Sequence, residues 1–528
     1  MTAARALAGR LVAAARTRTA AFAYLFVAVS YATVTGYASA YPTVADRLAL
    51  AHTFGGNVAA RLFFGQPLDL LTVGGFAAWR GVGLLAVFAA MWGLLVAVRI
   101  LRGEEESGGM ELVLSGVVSR RAAFLAAVAV IWLGAAVLWA ATCAGLVVGG
   151  LALGGSLYLA LAVVAAAPVF AGVGALASQL VPTARQATLL GSAALLLALV
   201  LRVVADTVAH LAWLRWATPL GWIEELRPFA GPRPAVLILP VLAAAVLLGA
   251  AGSLAERRDI GAGLIPVRDS APPRRRLLAT PTAQALRLQI GSLTAWLVGC
   301  AFFAAIIGVV STTIAAAGLS PGVQKQLHTV IAVSILSPSG YIALTFLMFV
   351  LALSFFACAQ IAAARRKEIE QRLQTLLAQP VSRHGWLAGR LVLAAGAATV
   401  LALAAGASAW VGEASQSAGI PLSRMLEAGA NCLPTVLLFL GLGALAYAVA
   451  PRAAAGLSYC LVAVAFVWDL LGPLLGAPAW LLGLTPFQHV GLVAAQPFRV
   501  TASLVMLAVA GSAAAAAIVI FGRRDLVA

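Results

Sequence analysis

Charge is what this sequence has least of. Asp, Glu, Lys and Arg make up 10% of its 528 residues, against about 25% in an ordinary soluble domain. Meanwhile 62% are hydrophobic and the mean hydropathy is +1.00. So little charge cannot cover a water-facing fold. Lysine is almost missing: Lys325 and Lys367 follow Gln324 and Arg366, so neither closes the Gly-x4-Gly-Lys-Ser/Thr loop that cradles nucleotide phosphates. The five cysteines (Cys143, Cys300, Cys358, Cys432, Cys460) stand apart, and the five histidines are equally scattered. No spacing suits zinc. The apolar runs hold no carboxylate pair or Ser/His set, which disfavours an enzyme acting on lipids or sugars.

What is present is long and apolar. Residues Ala122–Ala184, Leu288–Gln324 and Gln326–Ala364 contain no charged side chain, and roughly 20 apolar residues cross a hydrocarbon core. Apolar runs between charges and Gly/Pro punctuation predict twelve spans. Six lie near 19–40, 74–98, 122–148, 156–180, 187–205 and 235–254; six more lie near 293–317, 340–364, 388–410, 431–450, 455–476 and 500–521. The net charge of +17 is mostly arginine between these runs, a loop pattern rather than a nucleic-acid footprint. With an inside N-terminus, 25 of the 35 Lys and Arg fall on the inner side. Both termini are therefore expected on the cytoplasmic side. The N-terminus mimics a signal peptide, but the run from Thr19 to Ala40 exceeds the usual 7–15-residue apolar region. It reads as an uncleaved first span.

The sequence repeats itself. Gly172-Val-Gly-Ala-Leu-Ala177 returns as Gly441-Leu-Gly-Ala-Leu-Ala446, Pro182 as Pro451, and Val118-Ser119-Arg120 as Val381-Ser382-Arg383. Thr218-Pro219 returns as Thr485-Pro486, Pro228-Phe229 as Pro497-Phe498, and Arg257-Arg258-Asp259 as Arg523-Arg524-Asp525. Six spans per copy make this a parallel repeat. The domains are then 1–255, a basic Pro-broken linker over 256–279, and 280–528. Residues 3–18, and a helix capped by Thr280-Pro281, read as short surface helices before spans one and seven.

The stretch between spans two and three, Arg102–Arg121, pairs with Arg365–His384. Span two should run on as a charged stem, Arg102 matching Arg365 and Glu105 matching Glu368, and break at Gly108-Gly109 in the first copy. A short helix follows in each. Met110, Val113 and Leu114 match Leu373, Leu376 and Leu377 at i, i+3, i+4 spacing, giving one apolar stripe per helix. Ser119 and Ser382 then sit at the N-cap of the next span. Such a stripe either folds back on neighbouring helix ends or docks in a groove of a soluble partner. Its twofold occurrence favours docking on a dimer.

Glu-Glu-x-x-Gly…Glu-Leu-x-Leu-x-Gly-x-Val-Ser-Arg resembles the cytoplasmic loop of type-2 ABC exporter permeases, in particular the fused two-half actinobacterial permeases of polyketide-antibiotic (tetronasin-type) efflux. The resemblance covers the chain. It implies an all-α integral membrane protein of type V-like architecture, a coupling helix between the second and third span of each half, and outer re-entrant segments, here 206–233 and 477–499. It further implies export of amphipathic or apolar small molecules along a path lined by spans 1, 2, 5, 7, 8 and 11. The partner would be a homodimeric nucleotide-binding subunit, with ATP and Mg bound there and no cofactor in this chain. Arg102, Glu104, Glu105, Arg365 and Glu368 would rim the two contacts. The second copy departs from the acidic pattern, with Lys367 opposite Glu104 and Gln374 opposite Glu111.

The other reading is an ion-coupled secondary transporter of parallel-repeat design. Such proteins carry ionisable groups at mid-membrane, and these spans are nearly bare. Arg202 and Asp469 are the clearest exceptions, both toward the outer ends of spans 5 and 11, which the resemblance places across the axis from each other. They are outer-gate candidates as a mutual pair; otherwise Arg202 pairs with Asp206 or snorkels, and Asp469 sits in a wet vestibule.

Overall fold

The computed structural model describes residues 2–55, 61, 64–116, 118–259, 261–265, 280–317, 337–369, 372–416, 419–471 and 478–525. Among them, eleven helices are long and apolar enough to cross a membrane, and a shorter apolar helix covers Ala454–Asp469. The protein is a multi-pass, all-helical membrane protein. The expected count was twelve; the eleventh span in sequence order is the short one, and residues 472–477 lie outside the described residues. The chain divides into two compact units, Met1–Ser270 and Ala271–Ala528. Most of the expected linker, from 266 to 279, also lies outside the described residues.

The first unit runs α1 (Thr2–Ala40), α2 (Val44–Gly55), α3 (Val73–Val98), α4 (Gly109–Leu114), α5 (Arg120–Val148), α6 (Leu153–Val164), α7 (Ala166–Leu180), α8 (Ala184–Thr207), α9 (Pro219–Glu225) and α10 (Ile238–Arg257). The second runs α11 (Pro281–Ala317), α12 (Pro338–Ile369), α13 (Arg372–Leu377), α14 (Arg383–Ala414), α15 (Leu422–Ala430), α16 (Leu433–Val449), α17 (Ala454–Leu471), α18 (Ala479–Leu482) and α19 (Val500–Arg523). Each unit has its own apolar core. Within each, the first span packs chiefly on the third, the second on the fourth, and the fourth on the sixth. That shared scheme is the repeat seen in three dimensions.

Local chemistry explains the shared details. The fourth span of each unit is interrupted just before a proline: at Ala165 ahead of Pro168, and at Asn431-Cys432 ahead of Pro434. Proline offers no N–H to the preceding turn and its ring crowds the carbonyl four residues back. Thr218 Oγ1 donates to the Ala198 carbonyl at 3.0 Å, and Thr485 Oγ1 donates to Ala465 at 3.1 Å. The matched Thr-Pro pairs thus pin each outer segment to the fifth span in the same way. Gly441 is needed as glycine, because a Cβ there would stand 2.5 Å from the Ala510 carbonyl oxygen of α19.

Two expectations need correction. The basic segments 3–18 and 281–292 are not separate surface helices: α1 and α11 run unbroken into their spans. No Gly or Pro interrupts residues 10–35, and Leu7, Leu11 and Ala15 are buried in the first unit's core. The proposed cap itself is present, since Thr280 Oγ1 accepts from the Ala283 amide at 3.1 Å. The tenth span extends from Leu422 rather than 431, since α15, where Arg424 and Glu427 pair at 3.2 Å, leads directly into α16.

Candidate functional site

Below α3 the helix continues as the expected stem, first as a π-helical turn over Arg99–Gly103 and then over Glu104–Glu106. π-Turns inside α-helices cluster at functional sites. The stem breaks at Gly108, whose φ of +73° is left-handed and suits glycine. Helix α4 follows. Ser119 and Ser382 then cap α5 and α14, their hydroxyls accepting from the amides of Ala122 at 3.2 Å and Gly385 at 3.1 Å.

The charges expected to rim a partner contact are engaged within their own units, Arg102, Glu104, Arg365 and Glu368 buried and Glu105 partly exposed. Arg102 is 1% exposed. Its Nη1 meets Glu105 Oε2 at 2.5 Å, and its Nη2 donates to the carbonyls of Gly261 and Ala262. The other oxygen of Glu105 takes Arg258 Nη2, from the segment that follows the last span. Arg258 Nε also donates to Gln179 Oε1 at 2.6 Å, and Arg120 Nη1 donates to the Arg258 carbonyl at 2.7 Å. Glu104 is held by Arg10 at 3.0 Å and faces Arg99 at 3.9 Å. Glu106 accepts from the Ala184 amide at the start of α8, at 2.7 Å. The positive end of a helix favours that carboxylate.

The second unit repeats the arrangement. Glu368 is 1% exposed between Arg365 at 3.3 Å and Arg524 at 2.7 Å. Arg383 Nη1 donates to the Arg524 carbonyl at 2.7 Å, as Arg120 does to Arg258. Tyr447 Oη donates to Glu368 Oε2 at 2.7 Å, from the helix end that supplies Gln179 in the first unit. Each stem is thus locked by an Arg–Glu–Arg triad to the end of its own repeat. A carboxylate bridging two guanidiniums through charge-assisted bonds fixes orientation as well as charge.

The apolar stripes also turn inward. Met110 is buried, and Val113 and Leu114 are half-buried against the first unit's core. Leu373 is 1% exposed, with Leu376 and Leu377 half-buried against the second. The fold-back alternative describes both stripes. What each short helix leaves to solvent is the opposite face: Glu111, Leu112 and Ser115 on α4, and Gln374, Thr375 and Ala378 beyond α13. Leu112 is 73% exposed.

Sequence reasoning missed Arg258 and Arg524, although the repeated Arg-Arg-Asp was the signal that held them. It also missed Gln179 and Tyr447, for which no local pattern exists. At the far end of α8, Arg202 is paired inside its own unit, with Glu224 Oε1 at 2.5 Å and Asp206 Oδ2 at 3.3 Å. Asp469 is half-buried near the end of α17, and its Oδ1 has no hydrogen-bond partner among the described residues. Among the described residues no group of three or more His, Cys, Asp or Glu could hold a metal ion.

Comparison with known proteins agrees with this layout. The family described as "Multidrug efflux system permease Rv1217c, C-terminal domain" matches residues 278–522, the second unit. The multidrug efflux system permease protein Rv1217c of Mycobacterium tuberculosis is 32% identical over 507 residues, which is 95% of this chain and 91% of that protein. With both repeats aligned to one relative along nearly their whole length, the chain belongs to the multidrug efflux system permeases.

Proposed function

We propose that this permease is the membrane-spanning subunit of an ATP-driven exporter, worked by a separate nucleotide-binding homodimer that docks on α4 and α13. The observation that carries the reading is the duplicated lock. In each unit an Arg–Glu–Arg triad ties the stem that leads into a short helix to the end of the repeat, so a force passed from that helix to the stem reaches the last span as well as the second. Neither unit carries a phosphate-binding lysine loop, so hydrolysis belongs to the partner. Docking falls on the outward face, with Leu112 as its apolar anchor and Thr375 as its polar counterpart. Glu111 faces Gln374 in the alignment, so the two contacts differ in charge.

The cargo class is amphipathic or apolar. Between α11 and α12 of the second unit lies a cavity of about 380 Å³, lined by Trp296, Cys300, Phe303, Met348 and Phe349. Aromatic and thioether walls of this kind suit apolar ligands. Arginine placement supports an orientation with both termini on the cytoplasmic side of a bacterial plasma membrane.

The test is reconstitution of the permease with its cognate ATPase. Leu112→Asp combined with Thr375→Asp should abolish drug-stimulated ATP hydrolysis while leaving the permease's thermal stability unchanged. Undiminished stimulation and transport in that double variant would overturn the docking assignment.

A further inference from the structure

The first unit has a second buried charge cluster, at the end of α8 away from the stem. Arg202 is 2% exposed, and its Nε is approached by two carboxylates, Glu224 Oε1 at 2.5 Å and Asp206 Oδ2 at 3.3 Å. Its Nη1 donates to the Gly83 carbonyl at 3.3 Å. Arg215 takes the other oxygen of Asp206 at 2.8 Å. Three polar atoms are left over: the acceptors Asp206 Oδ2 and Glu224 Oε2 and the donor Arg202 Nη2 are buried and have no hydrogen-bond partner among the described residues. Both carboxyls thus crowd the same guanidinium nitrogen.

Two carboxylates converge on one Nε–H, and a single N–H cannot serve both. Two carboxylates sharing a dry site resist ionising together, and a buried acceptor without a donor costs about 1–3 kcal/mol. One proton placed on either carboxyl removes both penalties, converting an acceptor–acceptor contact into an O–H···O⁻ bond. We propose that Asp206 and Glu224 hold one exchangeable proton between them, a proton-binding site in the outer segment of the first repeat. Glu224 is the carrier and Asp206, already committed to Arg215, the acceptor. Burial, together with the Asp206 charge, lifts the Glu224 carboxyl to about 8 against the pull of Arg202.

The surrounding charges are Arg202 and Asp206 on α8, Arg215 on the 209–217 turn, and Glu225 beside Glu224 on α9. Glu225 is engaged by Arg227 at 2.8 Å, by Arg233 at 3.0 Å and, more distantly, by Arg215 at 3.7 Å. Asp69, Gln66 and Arg227 line, with Glu224, a cavity of about 40 Å³. That exceeds the roughly 10–15 Å³ one water needs, which leaves room for a proton carrier beside Glu224. At the 267-residue offset that relates Thr218 to Thr485, Asp206 falls on Pro473 and Glu224 on Gly491. The second repeat has no such pair, so the site is present once per chain.

The experiment is infrared difference spectroscopy of the full-length permease in lipid as pH is stepped across 8. Wild type should lose a protonated-carboxyl band with a midpoint near 8, and Glu224→Gln should lack that band. Asp206→Asn should move the midpoint toward the ordinary carboxylate range. Thermal unfolding gives a second readout. A native state holding a proton that the unfolded chain has released loses stability as pH rises from about 4.5 to about 8, and Glu224→Gln should flatten that slope. A wild-type protein whose carboxyls all titrate in the ordinary range overturns the proposal. So does a midpoint that Asp206→Asn leaves in place.

Discussion

At the scale of single residues, the two Arg–Glu–Arg triads are the main polar links between distant parts of each repeat. Buried ion pairs contribute modest net stability but leave a costly charge when one partner is removed. Glu105→Ala strips the shared carboxylate from two arginines, Arg102 at 1% and Arg258 at 6% exposure. It should lower unfolding stability by about 3–5 kcal/mol, read as a drop in midpoint by thermal or denaturant unfolding in detergent. Glu368→Ala should do the same in the second unit. Glu111→Ala, on the exposed face of α4, should leave stability unchanged in the same assay. Half of each triad was readable in advance: Arg102 with Glu105, and Arg365 with Glu368, are i, i+3 neighbours on one helix face. The other half was not. Arg258 lies 153 residues from Glu105 and Arg524 lies 156 from Glu368, and nothing in local pattern joins positions so far apart. Only the matched Arg-Arg-Asp endings pointed there, and they marked the repeat rather than the contact. Arg202 shows the opposite outcome. Its pairing with Asp206 one turn on was legible from spacing, whereas Glu224 comes from a separate outer helix.

At the scale of elements, caps and breaks were legible and faces were not. Ser119 and Ser382 cap the third span of each unit where an apolar run follows a serine, and Gly108 breaks the stem where two glycines interrupt a charged helix. Ser119→Ala or Ser382→Ala should each cost about 1 kcal/mol, measurable by the same unfolding assay. The stripes on α4 and α13 have the right spacing, but periodicity states only that a face is apolar, not what covers it. Here the covering surface is the unit's own core. Leu373→Ala removes a side chain that is 1% exposed and should destabilise by about 2–5 kcal/mol. Leu112→Asp, by contrast, should change coupling and not folding. That contrast separates an anchoring face from a docking face. The unbroken α1 and α11 were misread for a related reason: a change from basic to apolar composition marks where a helix meets a membrane, not where it stops.

At the scale of the whole molecule, two six-span repeats were readable because identical motifs recur in the same order. The structure gives both units the same packing partners and the same Thr-Pro and proline-break devices. What distinguishes the copies is polar and local: the acid pair of Asp206 and Glu224 exists in the first alone, and the exposed faces of the short helices differ in charge. Sidedness supplies a prediction at this scale. With arginine-rich segments inside, fluorescent-protein fusions at the C-terminus should fold and fluoresce, and cysteines placed after Arg185 and Arg452 should resist membrane-impermeant thiol reagents in intact cells. Cysteines in the segment 209–217 should be labelled. Labelling in the reverse pattern would invert the topology.

The locks also bear on how the protein is made. Each carboxylate at the base of a second span waits for an arginine that the ribosome delivers about 150 residues later, at the close of the same repeat. Until then the only arginine of the triad that the carboxylate can meet is the one on its own helix, Arg102 or Arg365. The first repeat can therefore latch only after its sixth helix has been made. The second latches only when Arg524 emerges. A nascent chain halted inside either repeat carries an open latch, a local defect that membrane quality control could read long before any transport is attempted.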